Sequence, residues 1–344
     1  MRLIEVLPVS ADTRIAFVGA GGKSTSMFRL AHQALAAGFE RVIVTASTHL
    51  GIDQVSWADH HLVIYDLAGL STRDWEPLTG LVLVTGPEGE DQRTRGLDYP
   101  ILKQLDEIAA DLDAPLLVEA DGSRRLALKA PAAHEPAVPE WVNGVVVCAG
   151  ASALGKPLDS DHVHRPEIFS QLSEIPLGAP VSVDGLAKVL LAAEGGLKNI
   201  PADARRVVNL AQVDSPELAG QAKRLGKRLL AGFDAVLASN LLDDGDEVKA
   251  VYRQVAGVVL AAGGSARLGR PKQLLDWHGK PFVRACAETA LQSGLSPVLV
   301  VTGAYREEVI QALEGLPVKM VHNSDWAQGQ GGSVRSAVEA LSQP

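Results

Sequence analysis

The sequence predicts an α/β protein of two units, each a parallel sheet whose first strand opens into a glycine-rich loop. Three observations carry this. Short apolar runs alternate with segments of helical spacing along most of the chain, the pattern of parallel strands joined by crossover helices. Two of those runs, Arg14 to Val18 and Val258 to Ala262, lead straight into glycine clusters. The clusters lie far apart in a chain of 344 residues, too long for one ordinary core. The expected division is 1–250 and 255–344.

Composition bounds the function. Hydrophobic residues make up 47% and charged residues 21%, ordinary values for a protein with real cores. A formal net charge of −9 argues against nucleic-acid or anionic-membrane partners, although a local basic pocket is compatible with it. Cys148 and Cys286 sit far apart within or beside apolar runs and read as small core residues. The N-terminus MRLIEVLPVSADTR lacks the long apolar stretch of a signal peptide. No run reaches the ~18 apolar residues of a membrane span. The expectation is a cytoplasmic protein.

The first unit begins with the strand RIAFV, the loop GAGGKST and helical spacing from Ser26 to Ala37. This is a P-loop pattern. Gly19, Gly21 and Gly22 free the backbone to wrap phosphates with the amides of Ala20 to Lys23. Lys23 is placed to reach the β and γ oxygens, and the Ser24 hydroxyl, with Thr25 beside it, to hold Mg²⁺. The loop departs from the GxxxxGK[ST] form, with Phe17 where the first glycine belongs. An ordinary glycine-rich turn is the competing reading.

The strand Arg41 to Thr45 ends in TASTH, which makes Thr48 and His49 candidates for a phosphate, metal or substrate contact. A Ser/Thr-rich turn competes. His60 and His61 point to opposite faces of an extended segment and read as structural. Leu81 to Thr85 is a strand and Gly86 to Gly96 a polar loop. The run Pro115 to Val118 leads into Glu119, Ala120 and Asp121, an apolar strand ending in acids, as a Walker-B metal site requires. Asp121 is expected to hold the metal or its water, with Glu119 second, as a base. Arg124, Arg125 and Lys129 suit either an anionic ligand or a solvated surface.

Val145 to Ala149 is a strand ending at Gly150. In Asp161 to Glu167, His162 and His164 share one face of an extended segment, and a substrate loop is favoured over a metal site. Helices are expected over Gly185 to Leu191 and Gln221 to Leu230, and strands over Arg206 to Leu210 and Asp234 to Ala238. The acidic turn Asp243 to Glu247 closes the first domain, with Val248 to Arg253 as a connection.

The last part holds three βα units. Strands are expected at Gly257 to Ala262, Pro297 to Thr302 and Val318 to His322. Helices are expected near Pro281 to Gln292, Arg306 to Leu313 and Gly332 to Leu341, with right-handed crossovers. The loop after the first strand carries Gly263, Gly264 and Gly269, with Arg267 and Lys272 in and after it. Such a loop suits a triphosphate and a pyrophosphate leaving group. Arg267, Lys272 and Asp121 are the catalytic candidates.

Residues 1–250 resemble the YqeC-type selenium-dependent hydroxylase accessory proteins. The likeness rests on GAGGKST, TASTH, Val118 to Pro136 and Val163 to Glu167, in that order. It implies a P-loop-like nucleotide-binding fold, ATP or GTP as ligand, and a molybdenum hydroxylase as partner. A guanine-type Leu-Asn-Lys-Xaa-Asp stretch is replaced by Leu210 to Asp214, LAQVD, without the Asn and Lys. Residues 257–344 resemble the first half of a MobA-like nucleotidyltransferase, a partial Rossmann-like domain nearest to molybdenum-cofactor cytidylyltransferases. LAAGGSARLGRPKQLL and Asn323 to Ser333 carry that likeness. It implies that Arg267 and Lys272 contact the triphosphate of CTP, and that Gly263, Gly264, Gly329 and Ser333 line the nucleotide pocket. It further implies Mg²⁺ as Lewis acid and molybdopterin as acceptor of CMP.

Family members continue to a Gly-Asp motif whose Asp binds Mg²⁺, and this sequence stops before one. The expectation is that 1–344 alone transfers no CMP. The edge where the next strand pairs is expected to be covered by the first domain, to be covered by a second copy in a homo-oligomer, or to be poorly ordered. Three readings therefore stand: a CMP-transferring fusion, an NTP-driven accessory protein, and a nucleotide sensor whose C-terminal part is a docking module or a truncated remnant.

Overall fold

In a computed structural model of the chain, every residue is described except 72–74, 90–91, 244 and 343–344. Asp244 of the acidic turn and residues 90 and 91 of the polar loop thus lie outside the described residues. The chain divides into two compact units, Met1–Arg253 and Gln254–Pro344.

The first unit runs β1 (Arg14–Gly19), α1 (Lys23–Ala36), β2 (Arg41–Ala46), β3 (His60–Val63), β4 (Gly80–Thr85), α2 (Tyr99–Asp111), β5 (Leu116–Glu119) and β6 (Gly144–Gly150). It continues with α3 (Pro166–Ser173), α4 (Val183–Leu191), β7 (Arg205–Ala211), α5 (Pro216–Leu229), β8 (Ala235–Ser239) and β9 (Val248–Arg253). One sheet takes these strands in the order β9-β8-β7-β6-β1-β5-β2-β4-β3. All neighbours are parallel except β8 and β9.

The strands are continuous Val/Ile/Leu runs because helices cover both faces. β1 shows how alternate residues divide between the layers. Ile15 and Phe17 pack with Met27, Phe28 and Leu30 of α1, while Ala16 and Val18 pack with Phe169, Leu186 and Leu225 of α3, α4 and α5. Leu102 and Leu105 of α2 build a third cluster with Ile43 and Val82. Side-chain caps start three of the helices: Asp98 accepts from the Ile101 amide, Ser182 from Gly185 and Ser215 from Leu218.

The crossover from β1 through α1 to β2 leaves a place that β5 fills. The carboxyl ends of β1 and β5 therefore lie side by side at a topological switch point, where doubly wound sheets open a crevice.

Three sequence expectations are corrected. Val248 to Arg253 is no connection but the antiparallel edge strand β9. Ala250 and Tyr252 alternate onto one face, and the Tyr252 ring fills the space over Gly226 of α5. Helix α1 begins at Lys23 rather than Ser26, so Lys23 and Ser24 belong to its first turn. Helix α5 begins at Pro216 rather than Gln221, because Ser215 caps it and proline suits a first turn.

The second unit runs β10 (Gly257–Ala261), α6 (Phe282–Gln292), β11 (Val298–Thr302), α7 (Arg306–Ala312), β12 (Lys319–His322) and α8 (Gln330–Ser342). Its parallel sheet has the order β10-β11-β12. Val283, Ala287, Val300 and Val309 form the core on one face, and Ala262, Val301 and Ala337 on the other. β10 pairs on one side only among the described residues, and Val258 on it is 42% exposed. No described helix is long and apolar enough to cross a membrane.

Candidate functional site

The loop after β1 lies down on the carboxyl end of β6, and two of its positions admit only glycine. Gly19 has φ +91°, and a Cβ there would stand 2.2 Å from the Cys148 carbonyl oxygen. Gly21 has φ +78°, and its Cβ would meet the Gly150 nitrogen at 2.4 Å. Ala20 N donates to the Cys148 carbonyl at 2.9 Å, which pins the loop to β6. The start of α1 then brings its open amides and the positive end of its dipole to this crevice.

Lys23 is buried, with Nζ donating to the Gly19 carbonyl at 2.9 Å. It stands 3.4 Å from Asp121 Oδ1 and 3.7 Å from Glu119 Oε1. Burial alone pushes an ammonium down, but the Asp121 and Glu119 carboxylates outweigh it and hold Lys23 above its usual range. Burial pushes the Glu119 carboxyl up, against the pull of Lys23 and of the Ser24 hydroxyl. Ser24 donates to Glu119 Oε2 at 2.6 Å. Hydroxyl and carboxylate oxygens at a helix start are hard donors of the kind Mg²⁺ takes. Asp121 Oδ1 is also buried and without a hydrogen-bond donor among the described residues. This donor set fits a hard divalent cation.

Asp121 is anchored differently. Its Oδ2 accepts from the Gly19 amide at 3.0 Å and forms an ion pair with Lys129 at 2.8 Å. Lys129 is itself buried and donates to the Gly122 carbonyl and to Glu135 Oε2, both at 2.7 Å. Glu135 takes a forked pair from Arg165 at 2.7 and 2.9 Å. Burial works against the Glu135 carboxylate, yet the Arg165 and Lys129 hydrogen bonds pull it down to about 2. A file of alternating charge thus runs from the glycine loop to the start of α3.

A cavity of roughly 330 Å³ lies over this loop. It gathers Gly21, Gly22, Lys23, Ser24, Thr25 and His49, with Glu119 beside them. Asp121 and Gly19 face a small cavity of about 30 Å³ behind the loop. The Thr48 hydroxyl is buried without a hydrogen-bond partner among the described residues, and His49 Nδ1 lies 3.1 Å from the Thr94 carbonyl. Sequence reasoning missed Asp53, Gln54, Trp57, Arg93 and Gln212, which also line the larger cavity. Only Gln212 had a signal, as the residue after strand β7; its backbone is left-handed, with φ 62°.

In the second unit, Gln273 organises the loop after β10. Its Nε2 donates to the carbonyls of Ala261 at 3.0 Å and Gly263 at 2.9 Å, and its Oε1 takes the Ser265 hydroxyl at 3.2 Å. The Lys272 amide returns to Ser265 Oγ at 3.0 Å. Arg267 and Lys272 are exposed, as are Gly263 and Gly329, while Gly264 is half-buried against Trp326. Ser333 is buried and accepts from Asn323 Nδ2 at 3.0 Å. Gln273 and Ser265 lie within LAAGGSARLGRPKQLL and Asn323 opens the stretch to Ser333, but their local spacing does not mark them as loop anchors.

Both units are therefore α/β domains whose candidate sites sit on a glycine-rich loop after the first strand. More particularly, the chain carries a YqeC domain at residues 15–167 and a MobA-like NTP transferase domain at residues 257–344. It is 28% identical to the uncharacterized protein YqeC of Escherichia coli K12, over 57% of this chain and 74% of that one. The second domain is 44% identical to a nicotine blue oxidoreductase of Paenarthrobacter nicotinovorans, over 23% of this chain and 39% of that one. It is 32% identical to a probable molybdenum cofactor guanylyltransferase of Bacillus cytotoxicus, over 23% of this chain and 38% of that one. The chain thus spans well under half the length of these two relatives. No solved structure matches the chain significantly.

Proposed function

We propose that this protein serves molybdenum-cofactor maturation, and that its first domain binds a magnesium–nucleoside triphosphate, ATP or GTP, on Gly19 to Thr25. The observation that carries the binding is the 2.6 Å bond from Ser24 to Glu119 beside the buried Lys23 ammonium. Lys23 supplies a fixed positive charge, and the amides at the start of α1 add donors for the phosphates. Ser24 and Glu119 hold the metal, which when bound neutralises phosphate charge and orients the chain of phosphates. Asp121 is a positioning residue that fixes the loop through the Gly19 amide. The base and ribose extend toward an adjoining cavity of about 320 Å³, which offers Gln212, Asp214 and Asn240. That cavity shares Gly21, Gly22, Thr25 and Gln212 with the first.

The maturation role is supported by the pairing of a YqeC domain with a domain whose relatives include proteins named as molybdenum cofactor guanylyltransferases. The partner in that role is a molybdenum hydroxylase, selenium-dependent by resemblance. Calorimetry with Mg²⁺–ATP and Mg²⁺–GTP tests the binding. Lys23→Ala and Ser24→Ala are expected to weaken the preferred nucleotide at least about 10-fold, one charge-assisted contact. Unchanged affinity in both, with wild-type melting, refutes the reading.

A second reading concerns the MobA-like domain. Arg267 and Lys272 flank the loop that Gln273 holds, suited to the triphosphate of CTP during CMP transfer to molybdopterin with release of pyrophosphate. Labelled CMP on molybdopterin, lost in Arg267→Ala, supports it; no transfer leaves the NTP-binding accessory role.

A further inference from the structure

Next to the cavity over Lys23 lies another, of about 480 Å³. The two share Arg93, Gly122, Arg124 and Leu126, so they form one continuous cleft. The far wall of the second cavity is Glu135, His164, Arg165 and the start of α3. Two short parallel segments build this wall. Val163 and His164 pair with Leu128 and Lys129, which brings the second histidine segment against the lysine that anchors Asp121.

The wall is cationic. Arg93, Arg124 and Arg165 line it, and Lys129 stands behind Glu135. Two acids also line it: Glu135, already engaged by Lys129 and by the Arg165 fork, and the exposed Glu167 at the start of α3, so the basic side chains are in excess. Arg124 is exposed, and its guanidinium forms no ion pair or hydrogen bond with another described residue. Its backbone is left-handed at φ 50°, as is that of Arg165 at φ 63°. Non-glycine residues in that region cost free energy that the surrounding structure must offset, and they gather at ligand sites. The neighbouring Arg125 is tied to Asp53 at 2.7 Å, which leaves Arg124 to face the cleft.

His164 adds a neutral group. Its ring makes no hydrogen bond to another described residue. Burial, then the charges of Arg165, Lys129 and Arg124, push it down to about 4. At neutral pH it offers one N–H donor and one bare nitrogen in a cationic cavity. Cavities of roughly 300–1,000 Å³ with a few convergent polar groups hold small molecules.

We propose that this cavity binds a second small molecule carrying a phosphate monoester, held by Arg124, His164 and Arg165 beside the nucleotide. A dianion with three acceptor oxygens matches two guanidiniums and one imidazole donor. Arg124, which borders both cavities, contacts both ligands. The site needs nothing from the nucleotide reading except its neighbour.

The test uses the full chain and phenyl phosphate as probe, by calorimetry. The runs are made with and without saturating Mg²⁺ and AMP-PNP or GMP-PNP. Binding is expected with the nucleotide analogue present, and His164→Ala and Arg124→Ala each weaken it about 10-fold, the worth of one charge-assisted contact. His164→Gln, which keeps a donor, loses less than His164→Ala. In parallel, the His164 ring resonances shift on addition of phenyl phosphate. The proposal is overturned if phenyl phosphate does not bind, if the analogue displaces it fully, or if binding is the same in both alanine variants. Failure of the analogues themselves to bind strikes the nucleotide reading alone, because the His164 variants still report on the second cavity.

Discussion

The Ser24 hydroxyl donates to Glu119 Oε2 across 2.6 Å, joining the first turn of α1 to the end of β5. This places Glu119, rather than Asp121, at the mouth of the loop. Glu119→Gln keeps the shape and removes the charge. It is expected to abolish the Mg²⁺-dependent gain in nucleotide affinity while leaving metal-free binding within about threefold. Calorimetric titrations with and without Mg²⁺ decide it, and an undiminished Mg²⁺ effect assigns the metal elsewhere.

Gly19→Ala forces a Cβ to within 2.2 Å of a backbone oxygen in a left-handed backbone. Neither side of that contact is a flexible side chain. The loss should exceed about 2 kcal/mol, in the range of overpacking plus backbone strain. Gly38→Ala, with open space around its Cβ and φ +107°, isolates the backbone part of the cost. Urea unfolding of both variants measures the difference.

Glu135 and His164 both contribute to the acid sensitivity. Glu135 falls from its ordinary value of 4.5 to about 2 in the fold, so it stays ionised while an unfolded chain would take up a proton. Its stabilisation is present above about pH 4.5 and is lost as pH falls through about 2. His164 falls from 6.5 to about 4, so the fold holds the neutral ring. Its contribution is present above pH 6.5 and is lost as pH falls through about 4. Stability against pH should therefore decline in two stages. His164→Gln shrinks the upper stage, to which the burial-depressed His61 also contributes, and Glu135→Gln shrinks the lower; a variant curve parallel to wild type contradicts the assignment.

Gln273 is buried and bonds two carbonyls and a hydroxyl of the loop after β10. Gln273→Ala leaves those carbonyls without a donor, a loss of about 1–3 kcal/mol. Amides from Gly263 to Lys272 should exchange faster, and CTP affinity should fall with them. Unchanged exchange over that segment shows that Gln273 does not hold the loop.

The sheet was legible because both-face burial writes itself as unbroken apolar runs, and the loop because Gly19 to Thr25 fall at a strand–helix junction. The ranking of Glu119 and Asp121 was not. They sit two apart at one strand end, and what separates their roles is Lys129, which returns from a later segment that local spacing does not place. β9 followed an acidic turn and read as linker, since an antiparallel edge strand carries a weaker pattern than a central one. The wall with His164 depends on pairing between Leu128–Lys129 and Val163–His164, a long-range register no local pattern contains.

The file Lys23–Asp121–Lys129–Glu135–Arg165 constrains how this protein can change by descent. Every interior member neutralises two neighbours, so replacing one alone strands buried charge on both sides. Neutral drift at these positions is closed to single steps and open to compensating pairs. Glu135 and Arg165, thirty residues apart in sequence, should therefore be lost or kept together in descendants of this domain.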